Sequence, residues 1–252
     1  MITAEKPSAD SVNISSEIDI WAPLMNFVDS PAGTACGYPA WATGNRRSRD
    51  YDSLVAEGKG LWWYQSCMSE GCASSIQPGH PAGRAPGCRP SDTCTGGAHE
   101  NVTWPSYMID APATYNRVMS WMSYKYNIQG ELYWGANYAD YKYSASPFDS
   151  SWEHQWFAGG NGDGSLTYPG RPDHIGGSST VPIASLRLKQ IRDGLEDLEY
   201  MYLLQDATGS RDAALAIVSS VVHATYQFEH SPEAFIRARE KLGAAVEAAL
   251  LM

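Results

Sequence analysis

Basic side chains are scarce in this sequence. Lys and Arg number 18 against 28 Asp and Glu in 252 residues, a formal net charge of −10. With no basic patch to neutralise phosphates, a nucleic-acid partner is excluded. No apolar run approaches the roughly 20 residues that cross a bilayer, which excludes an integral membrane protein. The opening residues Met1-Ile2-Thr3-Ala4-Glu5-Lys6 lack the charged-then-apolar layout of a signal peptide. Phenylalanine is also rare, with 5 Phe against 9 Trp and 15 Tyr. A chain needing only hydrophobic volume would use more Phe and Leu. Rings that carry a polar handle serve two ends: a core whose N–H and O–H groups are paired, or stacking platforms for an amphipathic ligand such as a sugar.

What is present suffices for one large domain or two small ones, with 43% hydrophobic and 18% charged residues. Residues 1–16 are polar and weakly patterned. Ile18-Asp19-Ile20-Trp21-Ala22-Pro23 predicts a short buried strand that Pro23 ends. Residues 29–50 read mainly as loop. A short helix is expected from about Ser48 to Glu57, stopped by Gly58-Lys59-Gly60, and Leu61-Trp62-Trp63-Tyr64-Gln65-Ser66 follows as a second strand.

Residues 67–103 have no hydrophobic period and contain Cys67, Cys72, Cys88 and Cys94. This insertion is expected to be stapled by two disulfides, because a structureless loop of that length needs restraint. A zinc site with His80 or His99 is the weaker reading, since no Cys-x-x-Cys pair is present. Four cysteines allow three connectivities, and Cys36 is left over as a buried free thiol.

Asp110-Ala111-Pro112 opens a helix to about Tyr126, with Tyr115, Val118, Met119, Met122 and Tyr126 at helical spacing and Asp110 as N-cap. Gly130 to Tyr138 reads as a strand ending in polar and aromatic groups. Asn161-Gly162-Asp163-Gly164 is a tight turn; it lacks the further acidic positions and closing Glu of a calcium loop. From Ser185 a long helix carries Leu188, Ile191, Leu195, Leu198 and Tyr202 as its expected buried stripe. Gly194 costs that helix about 1 kcal/mol relative to Ala, which points to close packing or a nearby ligand. Two Ala-rich helices, around 211–227 and 232–250, end the chain, the second amphipathic through Phe235, Leu242, Val246 and Leu250. Strands alternating with helices predict an α/β fold with a parallel sheet and crossover helices.

Leu61-Trp62-Trp63-Tyr64, Asp110-Ala111-Pro112-Ala113, Gly130-Glu131-Leu132-Tyr133-Trp134, the Asn161-to-Gly170 turn and the Ser185-to-Tyr200 helix occur in one order. Together with the Ile18–Pro23 strand they resemble the C-terminal half of the catalytic domain of glycoside hydrolase family 123 and its uncharacterised relatives, over about residues 17–205. The resemblance implies a (β/α)8 TIM barrel acting on sugars. Its hexosaminidases retain configuration by substrate assistance: the N-acetyl group attacks the anomeric carbon, an Asp orients it, and the adjacent Glu is general acid and base. No Asp-Glu dipeptide occurs in this sequence. The adjacent acidic pair Glu196-Asp197 lies on the long helix and reads as structural. The expectation is therefore about strands five to eight of the barrel in 17–205, followed by C-terminal helices in 206–252, with the acid/base pair outside the chain.

Within that frame Glu131 is the local carboxylate with a catalytic reading, provided an aromatic pocket raises its pKa. The competing reading is an ion-pair partner for an Arg inside the barrel. Trp134, Asn137 and Tyr138 fall at the C-terminal end of their strand, where a ring and an amide could hold a sugar. Trp21, Tyr64 and Gln65 stand at the corresponding ends of theirs, and Asp149, Trp152 and Trp156 lie on a long loop that could cover the mouth. No cofactor or metal is expected. The expected partner is a carbohydrate, with either a missing N-terminal half or association with another chain completing the barrel. Extracellular or periplasmic placement of the full-length form is expected.

Overall fold

The computed structural model describes residues 2–3, 15–30, 44–65, 104–109, 111–138, 152, 155–157 and 160–251. The cysteines, Asp110 and Asp149, on which the disulfide, zinc, N-cap and mouth-loop expectations rest, lie outside these residues.

Four strands, Ile2–Thr3, Ile20–Trp21, Gly60–Tyr64 and Gly130–Leu132, form one sheet in sequence order. Every pairing in it is parallel. The α/β expectation is met, and the sheet gains an edge strand at Ile2–Thr3 inside the stretch that read as polar and unpatterned. Two residues are too few for a hydrophobic period to reveal.

Register divides the sheet into two faces, because partners across a ladder share a side. Trp21 pairs with Leu61, and Trp63 with Glu131. Trp21, Leu61, Trp63 and Gln65 are buried. Trp63 meets the Tyr126 ring of the Ala113–Tyr126 helix at 6.0 Å between centroids, so this is the face the helices cover. Ile20, Trp62, Tyr64 and Leu132 point the other way and keep partial exposure. The Trp62 indole lies across Gly130, where a Cβ would come within 2.6 Å of the ring.

The Ala113–Tyr126 helix is the centre of the molecule. The apolar spacing predicted one buried stripe, but Thr114, Asn116, Ser120 and Ser123 are buried as well. The sheet meets it through Trp63 against Tyr126, the Leu186–Thr208 helix packs along it, and the Pro232–Leu250 helix reaches it through Phe235 against Trp121. Asn127 ends it in the left-handed conformation at φ 53°. Its last carbonyls are held by cations: Arg47 Nε donates to Tyr126 O at 2.8 Å, and Arg211 donates to Tyr124 O.

The long helix runs Leu186–Thr208, capped by the Ser185 hydroxyl, which accepts from Leu188 N at 3.2 Å, and ended by Gly209 at φ 69°. Its buried face is one residue out of phase with the expected stripe. Gly194, Asp197, Met201 and Leu204 are buried, whereas Leu195 and Tyr202 are 52% and 38% exposed. The closest approach to the central helix is made by a glycine and an aspartate. A Cβ on Gly194 would stand 2.5 Å from Arg117 O. Asp197, 0% exposed, takes Arg117 in a two-bond pair at 2.6 and 2.8 Å and the Trp121 indole N–H at 2.8 Å. Hydropathy cannot register a contact made by a missing side chain and a charge pair.

The expected 211–227 helix is shorter. It spans Asp212–Val218, and Val222–Ala224 pairs antiparallel with Gln227–Phe228 instead. The β-branched pair Val221-Val222 suits a strand better than a helix. Thr225 anchors this hairpin by donating to Asp29 O at 2.8 Å. The Pro232–Leu250 helix forms where predicted, with Phe235, Leu242 and Val246 buried, but Leu250 is exposed.

Candidate functional site

All four strands run the same way, so their C-terminal ends point to one edge of the sheet, where Tyr64 stands level with Leu132 and Leu24; Trp21 is level with Leu61, three residues further in. Past Leu132 the chain leaves the sheet, and the segment from Asn161 to Ser165 folds back beneath it. Gly162 and Gly164 adopt φ of 83° and 70°, which glycine permits at no steric cost. Between them Asp163 turns inward and is 1% exposed. Its Oδ1 accepts from the Tyr133 hydroxyl at 2.8 Å and from the Trp134 indole N–H at 2.9 Å. The Gly164 N–H donates to the Tyr133 hydroxyl at 2.7 Å, closing the turn onto the ring it faces. The Trp134 indole packs against Gly164, where a Cβ would lie 2.4 Å from the ring, and it also meets Tyr138 at 4.9 Å and Tyr133 at 6.4 Å between centroids.

Arg187, at the start of the long helix, locks the segment from below. Its guanidinium donates to Tyr107 O and Gly162 O, both at 2.7 Å, and to Ser165 O. Three carbonyls satisfy a buried cation through geometry that only the planar guanidinium fork offers. Burial holds its pKa below the ordinary value.

Two carboxyl groups in this cluster are pushed towards protonation. Burial raises Asp163, against the opposing donation of Trp134 and Tyr133 and the charge of Arg187. Burial raises Glu131 to about 7, opposed by the Tyr107 hydroxyl that donates to it. Glu131 lies opposite Trp63 in the ladder and so shares the helix-covered side of the sheet. Its partner is a tyrosine hydroxyl, not the arginine of the ion-pair reading. Tyr107 and Tyr133 meet edge to face at 5.0 Å, so Glu131 and Asp163 are joined through two phenols in contact.

The expected site residues divide by exposure. Trp21 and Gln65 are 1% and 0% exposed. The Gln65 Nε2 donates to Pro105 O at 3.4 Å, while its Oε1 and the Trp21 Nε1 have no partner among the described residues. Tyr64 is half-buried on the opposite face. Trp134 and Tyr138 are half-buried, and Asn137 is exposed and bridges to Ser165. The structure thus gathers Glu131, Trp134, Asn137 and Tyr138 around the 161–165 turn. Asp163, Tyr107 and Arg187 complete that cluster and were not singled out as site residues. Asn161-Gly162-Asp163-Gly164 is a turn as read, but nothing in its spelling says that the acid points inward.

Two cavities lie away from this cluster. One of about 400 Å³ opens between Arg117, Tyr200, Arg239 and Gly243 on the outer helices. Another of about 320 Å³ sits beside Arg47, Lys125 and Arg211 at the end of the central helix. Among the described residues no group of three or more His, Cys, Asp or Glu could hold a metal ion, and no helix is long and apolar enough to cross a membrane.

Comparison with known proteins bears on the class. Residues 94–204 match the family described as Glycoside hydrolase 123, catalytic domain. A family 123 glycoside hydrolase from Clostridium perfringens, solved in a study of glycolipid glycan hydrolysis, superposes with a TM-score of 0.52 at 13% identity. The match covers 98% of this chain and 34% of that one, so this chain spans about a third of the neighbour's length. No curated protein matches. The resemblance to family 123 is thus found by sequence over 94–204 and by fold over nearly the whole chain, and it supports a glycoside-hydrolase-like function.

Proposed function

We propose that this chain forms one side of a sugar-cleaving (β/α)8 barrel, its four parallel strands corresponding to the C-terminal half. The full-length activity is retaining hydrolysis of an N-acetylhexosaminide by substrate assistance. The observation that carries this reading is the parallel sheet in unbroken sequence order, whose strands end in Thr3, Trp21, Tyr64 and Leu132, the last two leading directly into Gln65 and into Tyr133-Trp134. That end of the strands is where barrels of this kind place their chemistry. Ile20, Trp62, Tyr64 and Leu132 then line the lumen side.

In this reading the Asp-Glu pair comes from the other half, since the sequence has no such dipeptide. Trp134, Asn137 and Tyr138 hold the sugar, and Asp163 fixes the Trp134 indole for that contact. Glu131 faces the helices, so its carboxyl serves as the acceptor for the Tyr107 hydroxyl and is not the acid that meets the glycosidic oxygen.

The test is hydrolysis of chromogenic N-acetylgalactosaminide and N-acetylglucosaminide, with calorimetric binding of the free sugars. The 252-residue chain is expected to bind without turnover. A longer chain whose added strand ends in Asp-Glu is expected to hydrolyse with retained anomeric configuration. Turnover by the 252 residues that vanishes in Glu131→Gln would place the catalytic carboxylate in this half and overturn the assignment.

A second reading, a carbohydrate-binding or scaffold protein that kept the rim without the acid/base pair, is favoured by that missing dipeptide. It predicts binding without turnover in the longer chain as well.

A further inference from the structure

Beyond the 161–165 turn the chain builds a hairpin, Thr167–Gly170 against Val181–Ala184, with the short helix Pro172–Ile175 at its tip. Every residue from Pro172 to Pro182 is exposed. An exposed hairpin of this composition would ordinarily be polar, yet it carries Ile175 and Val181 at 44% and 43% exposure. Against it stands Trp152, 41% exposed.

Trp152 is held in place on several sides. Its indole N–H donates to Pro169 O at 2.9 Å. The His174 ring stacks on it nearly parallel, 8° between planes at 5.6 Å, and Tyr168 packs at 5.0 Å with a 39° tilt. The Tyr168 hydroxyl exchanges hydrogen bonds with the Gln155 side chain at 2.9 and 3.1 Å. Gln155 in turn accepts from Gly162 N at 2.6 Å through its carbonyl. A ladder of three rings is therefore tied, through Gln155 and Gly162, to the turn that seats Asp163 and Trp134. An exposed ion pair, Arg171 Nε to Asp173 Oδ1 at 3.2 Å, flanks it.

We propose that the Tyr168–Trp152–His174 ladder is a second carbohydrate subsite, taking the pyranose ring next to the one bound beside Trp134. A pyranose presents contiguous C–H groups on one face and hydroxyls around its edge. The ladder offers a preorganised aromatic surface for the first, and Arg171 and Asp173 offer a donor and an acceptor for the second. With its N–H already bonded to Pro169 and its ring stacked on His174, the indole loses little freedom on binding. This inference rests on the glycoside reading above and extends it to a ligand of at least two sugar units.

The test is isothermal titration of the 252-residue chain with N-acetylglucosamine, N-acetylgalactosamine and N,N′-diacetylchitobiose, in wild type, Trp152→Ala and His174→Ala. The disaccharide is expected to bind wild type about tenfold more tightly than either monosaccharide, the scale of one aromatic contact. Trp152→Ala should abolish that advantage and leave monosaccharide affinity unchanged, with His174→Ala intermediate. Near-ultraviolet circular dichroism checks that the surface substitutions leave the fold intact. A disaccharide advantage that survives in Trp152→Ala, or none in wild type that binds monosaccharide, overturns the subsite and leaves the function standing. Failure of wild type to bind any of the three sugars overturns both.

Discussion

The indole N–H of Trp134 reaches across the 161–165 turn to Asp163 Oδ1 at 2.9 Å, and the ring lies so close to Gly164 that a Cβ there would be 2.4 Å away. One carboxylate and one missing side chain thus fix the orientation of the ring at the end of the last parallel strand.

Asp163→Ala leaves the Tyr133 hydroxyl and the Trp134 N–H without their acceptor, each an unsatisfied group costing roughly 1–3 kcal/mol when buried. Denaturant unfolding should show a loss of about 2–5 kcal/mol, with a shift in tryptophan fluorescence. Asp163→Asn, oriented to keep an acceptor oxygen, should lose less than half as much. Gly164→Ala combines left-handed strain of roughly 1–2 kcal/mol with displacement of the indole. Gly209→Ala, at φ 69° in the left-handed region with open space around it, carries the strain alone and serves as the control.

Glu131 has a folded pKa of about 7 against an ordinary 4.5. Protonation therefore favours the folded state: the contribution is fully present below pH 4.5 and is lost as pH rises through 7. Glu131→Gln, which mimics the protonated acid, should match wild type at pH 4 and exceed it at pH 8 by up to ~3 kcal/mol. Urea unfolding of both proteins from pH 4 to 8 measures the difference. Parallel profiles would show that the group titrates alike folded and unfolded.

Gly194→Ala sets two effects against each other. Helix propensity favours Ala by about 1 kcal/mol. The added Cβ meets the Arg117 carbonyl, a backbone atom that cannot swing aside, at 2.5 Å. Overpacking of this kind costs roughly 1–3 kcal/mol. A net loss in melting temperature is expected; a gain would mean the two helices separate freely.

Asp197→Ala removes the partner of Arg117, a side chain 12% exposed, and of the Trp121 N–H. Breaking a buried pair from one side costs about 3–5 kcal/mol because the remaining charge stays buried. Arg239 lies 3.3 Å from the same carboxylate and is more exposed, so Arg239→Ala should cost under half as much in the same unfolding assay.

Much of the fold was legible in the sequence. The Arg47–Ala56 and Ala113–Tyr126 helices and the Gly60–Tyr64 strand fall within a few residues of their apolar spacing and their Gly and Pro boundaries. The long helix began at Ser185 as expected, because a serine N-cap is a local signal. Its phase was legible in part: the close packing expected at Gly194 is met against Arg117 O, and Leu188, Ile191 and Leu198 pack on the core, but Leu195 and Tyr202 looked buried and are exposed, while Asp197 is fully buried. The candidate site was half legible. Trp134, Asn137 and Tyr138 were read as the end of a strand to Tyr138; the strand stops at Leu132 and they lie beyond it beside the 161–165 turn, where the inward turn of Asp163 and the reach of Tyr107 and Arg187 had no sequence signal.

Local chemistry, then, decided by itself where the Arg47–Ala56, Ala113–Tyr126 and Leu186–Thr208 helices and the Gly60–Tyr64 strand lie and the aromatic character of the segments that end the strands, since these depend on neighbours a few residues apart. The tertiary structure alone decided which faces are buried, that Ile2–Thr3 joins the sheet, that residues after Val221 pair as a hairpin, and that Asp163 and Glu131 are held towards protonation. Each of these depends on desolvation and on partners tens of residues away, Arg117 with Asp197 or Tyr107 with Glu131, which no periodicity along the chain encodes.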